Sequence, residues 1–178
     1  DLFPNSFIES RKGLIPKGWE IAKLSKIVSP CGKSIKPSNE TKYKPYVPID
    51  CITKKSLTLE EYKSGEEAKS SLFSFEKGDI LFGAMRPYFH KVCIAPFDGI
   101  TRSTCIPLRS VDESFNAFAT LLLSNQETIE YATQHSTGST IPYIRWNNIL
   151  ENMEVKIPPK NIAKCFENIL SPIIEKFC

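Results

Sequence analysis

The side chains best suited to chemistry lie in one short run that follows an apolar segment. Ile80-Leu81-Phe82 predict a buried strand, and Arg86, Tyr88, His90 and Lys91 come soon after it. Their guanidinium, phenol, imidazole and ammonium groups donate hydrogen bonds, and the first and last are positively charged. A rigid strand that delivers such a loop to solvent is a common way to build a recognition surface. The alternative is a simple hairpin whose charged tip is only solvated.

Catalysis by this run would need a nucleophile or a metal site close by. Cys93 and His90 are three residues apart, which places them on opposite faces of a strand, so they do not pair as nucleophile and base. Asp79 with Glu76 could suggest a metal or nuclease centre. Beside Gly78, however, Asp79 is more typical of a tight turn, because its side chain accepts a hydrogen bond from the backbone of that turn.

Two further groupings also fail to predict chemistry. His135 with Glu127 and Glu130 forms a polar cluster on a helix surface. Gly32-Lys33-Ser34 is similar to the end of a phosphate-binding loop, but the position where that motif needs its first glycine is Ile27. There is no glycine-rich cofactor motif, and the cysteines form no CxxC pair that would predict zinc. The chain is therefore predicted to have no catalytic residue and no metal site of its own.

The composition is that of an ordinary folded domain. The 178 residues are 41% hydrophobic and 24% charged, which suits one domain without extended disorder. No apolar run approaches the ~20 residues that span a membrane, and the first residues lack the pattern of a secretory signal. With scattered cysteines and no need of disulfides at this size, we expect a protein of the reducing cytoplasm with no membrane partner.

Positive charge is concentrated in two segments, although the net charge is only +3. Residues 31–55 contain six lysines against two acids, and residues 86–111 contain four basic residues against one acid. The segments 56–85 and 112–140 are both net negative. If the two basic segments meet in the folded protein, they form a positive face that attracts a polyanion. The alternative is a surface on which the charges are well mixed.

The elements that must position these residues define an α+β fold, with a twisted, mostly antiparallel sheet and a few helices. Apolar runs bounded by turn residues predict strands at 46–52, 80–82, 91–95, 104–108 and 153–157. Helical spacing predicts helices that begin at Ser114 and Gln126 and a short helix near residues 66–71. Residues 1–13 have little periodicity and are predicted to be a linker.

The last segment predicts an amphipathic helix of the coiled-coil type. Pro172 lies within it and should kink or interrupt the helix near Ile169. The sequence stops at Cys178 without a helix cap, as if a longer element had been cut. A narrow exposed seam of apolar residues usually marks an interface with another helix. The seam follows a 4-3-4-4 spacing and consists of Ile162, Phe166, Ile169, Ile173 and Phe177.

Four motifs follow one another along the chain. They are Gly13-Leu14-Ile15-Pro16-Lys17-Gly18-Trp19-Glu20, Lys77-Gly78-Asp79-Ile80-Leu81-Phe82, Thr137-Gly138-Ser139-Thr140, and Val155-Lys156-Ile157-Pro158-Pro159 leading into the helix. Each string alone is common. In this order, and over nearly the whole chain, they resemble the DNA-specificity (S) subunit of type I restriction–modification systems.

The resemblance implies that the chain has three parts. Residues 1–13 would be a linker, 14–159 a DNA target-recognition domain, and 160–178 the start of a conserved spacer or dimerisation helix. In that family two such domains each read one half of a split DNA site, and the helices between them dock the methyltransferase subunits. The long approach to Ile15 looks more like the entry of the second domain. Lys160-Asn161 departs from the Glu-Gln that often follows the double proline, a difference that concerns helix docking.

The same resemblance implies the partners and the cofactors. The partners would be double-stranded DNA, the methyltransferase (M) and restriction (R) subunits, and a second copy of the chain through the last helix. S-adenosylmethionine, ATP and magnesium would belong to the partner subunits, so this chain would bind no cofactor and would be a non-catalytic specificity subunit. The residues also leave open a protein-interaction module that binds an acidic partner through its basic patches and, more weakly, a catalytic domain with a scattered site.

A DNA reader of this kind would use basic, hydroxyl and aromatic side chains of its loops. Arginines place phosphates or reach guanine edges in the major groove. Trp146 is expected in the core, Tyr143 fits either a contact or a buttress, and Arg109 is expected to be only a solvated charge. Ser139 and Thr140 can alternatively cap the next short helix. The predicted DNA-binding residues are Lys33, Lys36, Lys44, Arg86, Tyr88, His90, Lys91, Arg102, Ser139, Thr140, Tyr143 and Arg145.

Overall fold

The structure is a computed structural model in which residues 6–174 and 176 are described. More residues of this part of the chain lie in strands than in α-helices, and the longest strand has six residues. The strands are β1 (Phe7–Ser10), β2 (Gly13–Pro16), β3 (Glu20–Lys23), β4 (Val28–Pro30), β5 (Ser34–Ile35), β6 (Pro45–Tyr46), β7 (Lys63–Ser64), β8 (Leu72–Phe75), β9 (Ile80–Gly83), β10 (Val92–Ile94), β11 (Gly99–Arg102), β12 (Cys105–Ser110) and β13 (Glu154–Ile157).

The helices lie in the second half of the chain and are α1 (Asn116–Leu123), α2 (Gln126–Gln134) and α3 (Lys160–Ile174). Short 3-10 turns connect many of the strands. They comprise Leu24–Lys26, Thr41–Tyr43, Ile49–Cys51, Gly65–Glu67, Pro87–Phe89, Glu113–Phe115 and Leu150–Asn152.

The strands form two larger sheets and two two-stranded pairs. One sheet has the order β10-β9-β12-β4 and the other the order β5-β8-β11-β6-β7, while β1 pairs with β2 and β13 with β3. All these pairs are antiparallel except that between β11 and β6. The predicted α+β class with a mostly antiparallel sheet is therefore confirmed.

β9 is buried on both faces, which explains why its sequence is continuously apolar rather than alternating. Ile80 and Phe82 point into a core cluster that also contains residues of α1, α2 and β13. Leu81 points the other way, into a second cluster with Phe75 and Cys93. At Gly83 a Cβ would lie 2.8 Å from the Lys91 carbonyl oxygen, so the close approach of β9 and β10 excludes a side chain there.

Caps set the start of the two middle helices. The Asn125 side chain accepts a hydrogen bond from the Thr128 N–H at 2.8 Å, so α2 begins where the sequence predicts. The residue that caps the turn leading into α1 is Asp112, which accepts from the Ser114 N–H at 3.0 Å. The cap predicted at Ser114 was therefore wrong by two residues.

The first strand lies within the segment 1–13 that was predicted to be a linker. β1 pairs with β2 from Phe7 opposite Pro16 to Ser10 opposite Gly13. The Phe7 side chain is 51% exposed, and all of β1 is exposed or only half-buried. A strand without a buried face has no hydrophobic period, so the sequence offered no signal for it.

The strand predicted at 46–52 is much shorter than expected. β6 ends at Tyr46, and Ile49–Cys51 form a 3-10 turn. Pro45 and Pro48 have no N–H to donate, which limits the hydrogen-bonded ladder on this segment.

The helix predicted near 66–71 was also wrong. Gly65–Glu67 form a single 3-10 turn that the Ser64 side chain caps. The chain then extends, because Ala68 and Leu72 both pack with Ile100 in a small core cluster.

α3 runs through Pro172 as one helix, so the predicted interruption near Ile169 was wrong. It packs on α1: the rings of Phe166 and Phe118 lie 6.3 Å apart, and Glu167 Oε2 accepts a hydrogen bond from the Ala117 N–H at 2.6 Å. Three of the predicted seam residues, Ile162, Ile169 and Ile173, are 46%, 66% and 47% exposed. The fifth, Phe177, lies outside the described residues.

Candidate nucleic-acid interface

The 137–145 loop is joined directly to the end of β9. Met85 and Tyr143 form a β-bridge. The Arg86 N–H donates to the Pro142 carbonyl oxygen at 2.7 Å, and the Ile144 N–H donates to the Ala84 carbonyl oxygen at 2.9 Å. Two loops that are more than fifty residues apart in sequence are thus held side by side by backbone hydrogen bonds.

The same loop is closed on itself, so its tip is held firmly. Thr137 and Tyr143 exchange two backbone hydrogen bonds of 2.9 Å each. Gly138 has a φ of +102° and a Cβ there would lie 2.7 Å from the Ile141 carbonyl oxygen, so this turn needs glycine. Ser139 and Thr140 are exposed at the tip.

Tyr143 connects this loop to a third one. Its hydroxyl donates to the Ser103 carbonyl oxygen at 2.6 Å, in the turn between β11 and β12. Burial of the ring raises the pKa of its phenol. The side chain of Tyr143 is therefore a buttress between loops, the second of the two roles that the sequence allowed.

Arg102 and Lys36 lie at the same end of the five-stranded sheet. Leu72 of β8 pairs with Ile35 on one side and with Arg102 on the other. The pKa of the neighbouring Tyr46 phenol is raised, because the effect of burial exceeds the opposing effects of the Arg102 charge and of a hydrogen bond with the Arg102 side chain. Both cations are exposed. This end of the sheet is continuous with the Tyr143 loop, because Ser103 follows Arg102 directly.

The turn from Arg86 to His90 is strained and firmly anchored. Arg86 and His90 have φ of 50° and 53°, a left-handed backbone that is costly for residues with side chains. Arg86 Nε and His90 Nδ1 are buried without a partner among the described residues. His90 Nε2 lies 2.6 Å from the Ser124 carbonyl oxygen, which can only accept, so this nitrogen carries the proton. The left-handed backbone and the two unpartnered buried nitrogens both lower stability, so this turn points to a functional rather than a stabilising role.

Several charged or aromatic side chains surround this turn. Tyr88 is 49% exposed at its apex. The ammonium of Lys91 donates to the Ile49 carbonyl oxygen at 2.8 Å, so it has a structural contact. Lys54 lies 4.2 Å from the centre of the Phe89 ring. The sequence did not single out Lys54 as a site residue, although it belongs to the basic segment 31–55.

The remaining predicted residues lie at the margin of this group or away from it. Lys33 is exposed beside β8, where its carbonyl oxygen accepts from the Ser74 N–H. Arg145 is exposed just after buried Ile144. β6 runs parallel to β11, so Lys44, which precedes β6, lies at the opposite end of β11 from Arg102.

Ser139 and Thr140 do not cap a helix. The next helical turn begins at Leu150, and no side chain caps it. Trp146, expected in the core, is buried with 8% of its surface exposed.

Arg109 was wrongly expected to be only a solvated charge. Its guanidinium donates to both carboxylate oxygens of Asp79, at 2.6 and 3.1 Å, and to Glu76 at 2.7 Å. Asp79 is 1% exposed and also accepts from the Glu76 N–H at 2.7 Å. The turn-forming role predicted for Asp79 is confirmed, with an ion pair that the sequence did not reveal.

Within the described part of the chain, no group of three or more His, Cys, Asp and Glu side chains is arranged to hold a metal ion. No helix in this part is long and apolar enough to cross a membrane.

The structure is thus an α+β domain in which hydrogen bonds join three loops that carry basic, hydroxyl and aromatic side chains, and it ends in a helix with exposed apolar residues. The chain belongs to the family of the type I restriction modification DNA specificity domain, whose model matches residues 16–177.

Individual relatives agree with this assignment. The chain is 26% identical to the specificity subunit of the type I restriction enzyme MjaIX of Methanocaldococcus jannaschii, an alignment that covers 91% of this chain and 39% of that subunit. Its fold is similar to that of the HsdS subunit from Thermoanaerobacter tengcongensis, with a TM-score of 0.66, 22% identity, and coverage of 90% of this chain and 44% of that one.

A second solved chain, from work on the complex assembly and conformational transition of the type I R-M system, matches with a TM-score of 0.69 and 22% identity, over 90% of this chain and 44% of that one. The S subunit from M. genitalium matches with a TM-score of 0.56 and 19% identity, over 88% of this chain and 39% of that one. The chain thus spans less than half the length of the relatives that it matches.

Proposed function

We propose that this chain reads one half of a bipartite duplex DNA site, as a target-recognition domain of a type I specificity subunit. The observation that carries the proposal is the joining of three loops at one end of the molecule. Hydrogen bonds link the Arg86 turn to the 137–145 loop, and Tyr143 links that loop to the turn after Arg102. Family membership supplies the DNA specificity.

The joined loops hold the two kinds of group that a DNA reader needs. Phosphate contacts fix the position of the protein, and contacts to base edges discriminate between sequences. Lys33, Lys36 and the hydroxyls of Ser139 and Thr140 suit phosphates, because they are exposed and donate hydrogen bonds. The planar guanidinium of an arginine can instead bind guanine O6 and N7 together. We assign this role to Arg86 and Arg145.

We propose that the division of the chain is that implied by its family, with the recognition domain at 14–159 and the spacer helix from residue 160. The M and R subunits would be its partners, and S-adenosylmethionine, ATP and magnesium would be bound by those subunits. The exposed residues Ile162, Ile169 and Ile173 support an interface on α3.

We also propose that the chain itself is not catalytic. Burial and the nearby Asp79 carboxylate raise the pKa of the Cys31 thiol to about 12, and burial raises that of Cys105 to about 12. These thiols stay protonated at neutral pH and do not supply the thiolate that nucleophilic catalysis requires.

Selection from a pool of randomised duplexes tests the proposal directly. The chain should enrich one short half-site, with an affinity that falls steeply as salt rises. Arg86→Lys and Arg145→Lys keep the charge but remove the bidentate geometry, so each should weaken discrimination at one base pair by about 1–3 kcal/mol. Lys33→Gln and Lys36→Gln should weaken binding to all sequences alike.

The contrast between the two kinds of variant decides the result. If all four substitutions reduce binding to selected and random duplexes by the same factor, the surface is merely basic and the chain is not a reader. If no sequence is enriched by the unmodified chain, the proposal also fails.

A further inference from the structure

Tyr43 has the most exposed large hydrophobic side chain among the described residues, with 89% of its surface accessible. Lys42 and Lys44 flank it and are also exposed. Phenol rings bury well and are usually at least partly covered. A ring presented this fully between two cations therefore needs an explanation beyond the stability of the fold.

The loop that presents Tyr43 is braced by its own hydrogen bonds. Ser38 and Thr41 bond reciprocally: the Ser38 N–H donates to Thr41 Oγ1 at 2.8 Å, and the Thr41 N–H donates to Ser38 Oγ at 3.3 Å. The Thr41 hydroxyl also donates to the Ser38 carbonyl oxygen at 2.9 Å, and its side chain is 6% exposed. Tyr43 therefore projects from a rigid turn.

The segment around Gly65 packs closely against the same turn. The backbone oxygens of Thr41, Lys42 and Lys44 crowd around Gly65, where a Cβ would lie 1.9, 3.0 and 2.8 Å from them. Only glycine lets the two segments pack this closely. The direction in which Tyr43 projects is thus fixed by tertiary packing as well as by local bonds.

The turn lies at a definite distance from the loops of the proposed reader. Tyr46 pairs with Ile100 in parallel strands, so Lys44 and Arg102 are displaced by four residues along the strand direction. At about 3.3 Å per residue this is about 13 Å. The major groove of B-DNA is about 12 Å wide, so side chains at these two places can reach backbone phosphates on opposite walls of one groove.

We propose that Lys42, Tyr43 and Lys44 form a second contact to duplex DNA, directed to the sugar–phosphate backbone and independent of sequence. The phenol hydroxyl of Tyr43 would donate to a phosphate oxygen while its ring packs on the adjacent sugar, and the two ammonium groups would neutralise neighbouring phosphates. The inference rests on the proposed function, and adds Tyr43 and Lys42 to the residues that carry it.

Charge at this loop favours an anionic partner. The loop from Lys36 to Lys44 carries three lysines against Glu40 alone. In the segment that packs against this loop, Glu67 is paired with Lys63 at 3.4 Å, which reduces the repulsion of an approaching anion by Glu67.

Titration of a fluorescent duplex of mixed sequence tests the contact, with the 178-residue chain at several salt concentrations. Tyr43→Ala should weaken binding about three- to tenfold, and Tyr43→Phe should lose part of that factor, since it keeps the ring but not the donor. The double variant Lys42→Gln/Lys44→Gln should reduce the slope of log affinity against log salt by about 2. Base preference, measured by selection from a randomised pool, should be unchanged.

A matched control separates local contact from total charge. Lys23→Gln/Lys164→Gln also removes two positive charges, but from β3 and α3, where both lysines are exposed. It should leave the slope of log affinity against log salt almost unchanged. If this control reduces the slope as much as Lys42→Gln/Lys44→Gln does, the inference is wrong.

The remaining outcomes separate this inference from the proposed function. If Arg86→Lys alters base preference but the Tyr43 and Lys42/Lys44 variants bind like the unmodified chain, only the second contact is refuted. The same holds if Tyr43→Ala impairs assembly with a methyltransferase subunit but not binding to the duplex. If the unmodified chain does not bind DNA, both fail together.

Discussion

Asp79 shows how one residue can serve a turn, a strand pair and a loop. Its carboxylate accepts from the Glu76 N–H and so closes the turn before β9. It also accepts from the Arg109 side chain on β12, one strand position beyond the Leu108–Ile80 pair. The carboxylate is buried and needs this partner, because an unpaired buried charge is costly. The start of β9, which leads to the Arg86 turn, is therefore held by an ion pair.

At the residue scale we predict that Arg109→Ala lowers the free energy of unfolding by about 2–3 kcal/mol, since it leaves the Asp79 carboxylate buried and unpaired. Urea denaturation gives this value directly. Arg11→Ala is the matched control, because Arg11 pairs with Glu154 on the surface and its loss should cost less than about 1 kcal/mol. Equal losses of unfolding free energy for the two variants would show that the buried Asp79–Arg109 pair stabilises the fold no more than a surface ion pair does.

At the scale of elements, Asp112 joins the turn before α1 to the first residue of α3. Its carboxylate accepts from the Lys160 ammonium and from the Ser114 N–H. The hydrogen bond from Lys160, followed by that from Ser114, lowers the pKa of Asp112 from 3.8 to about 2. The link depends on the charged form of the carboxylate.

The pH dependence of this link has a definite sign. Because folding lowers the pKa of Asp112, its stabilising effect is present above pH 3.8 and is lost as the pH falls towards about 2. We expect Asp112→Asn to melt at a lower temperature than the unmodified chain at pH 5, with the difference shrinking as the pH falls below 4. Thermal melts between pH 5 and pH 2.5 measure this, and a difference that stays constant over that range would contradict the assignment.

The elements that sequence predicts well are those that carry their own signal. β9, β10 and β12 are apolar because they are buried, and α2 has both a cap and a helical period. The two-residue strands β5, β6 and β7 have no such signal, since their pairing depends on strands far along the chain. The interruption predicted at Pro172 was wrong for the opposite reason: packing on α1 keeps α3 continuous although proline has no N–H to donate.

The candidate site likewise has a part that the sequence indicates and a part that only the tertiary structure shows. Residue types and loop positions identified Arg86, Tyr143 and Arg102, because cations and aromatics after buried strands are visible in sequence. That Tyr143 braces Ser103 was not visible, since the two are forty residues apart and meet only through tertiary structure. Tyr43 could not be proposed from the sequence, which does not show which of several tyrosines remains exposed in the fold.

At the scale of the whole molecule, the two faces proposed above involve different residues. The joined loops lie at the ends of the sheets, whereas α3 packs on α1 and stands apart from the turn before β9. A cavity of about 390 Å³ lies between the turn before β9 and the two helices, and its lining includes Lys77 of that turn, Thr120 of α1 and Glu167 of α3. Phe166 of the predicted seam is half-buried against Phe118, so part of the seam serves the packing of α3 within the chain. Ile162, Ile169 and Ile173 remain exposed and do not take part in that packing.

The exposed part of that seam gives the prediction at this scale. Ile169 and Ile173 are one helical turn apart and are 66% and 47% exposed, so together they offer an apolar strip to a second helix. We expect Ile169→Glu/Ile173→Glu to weaken association with a methyltransferase subunit, or with a second copy of the chain, by more than about tenfold, because it buries two charges at a helix interface.

Sedimentation velocity with and without the partner subunit measures both associations. Leu14→Glu, at a 62% exposed position on β2, is the control. Because the two faces are separate, the double variant should bind a mixed-sequence duplex as the unmodified chain does. Loss of DNA binding together with loss of association would mean that α3 supports the fold of the reader, and unchanged association would mean that its exposed residues have no partner.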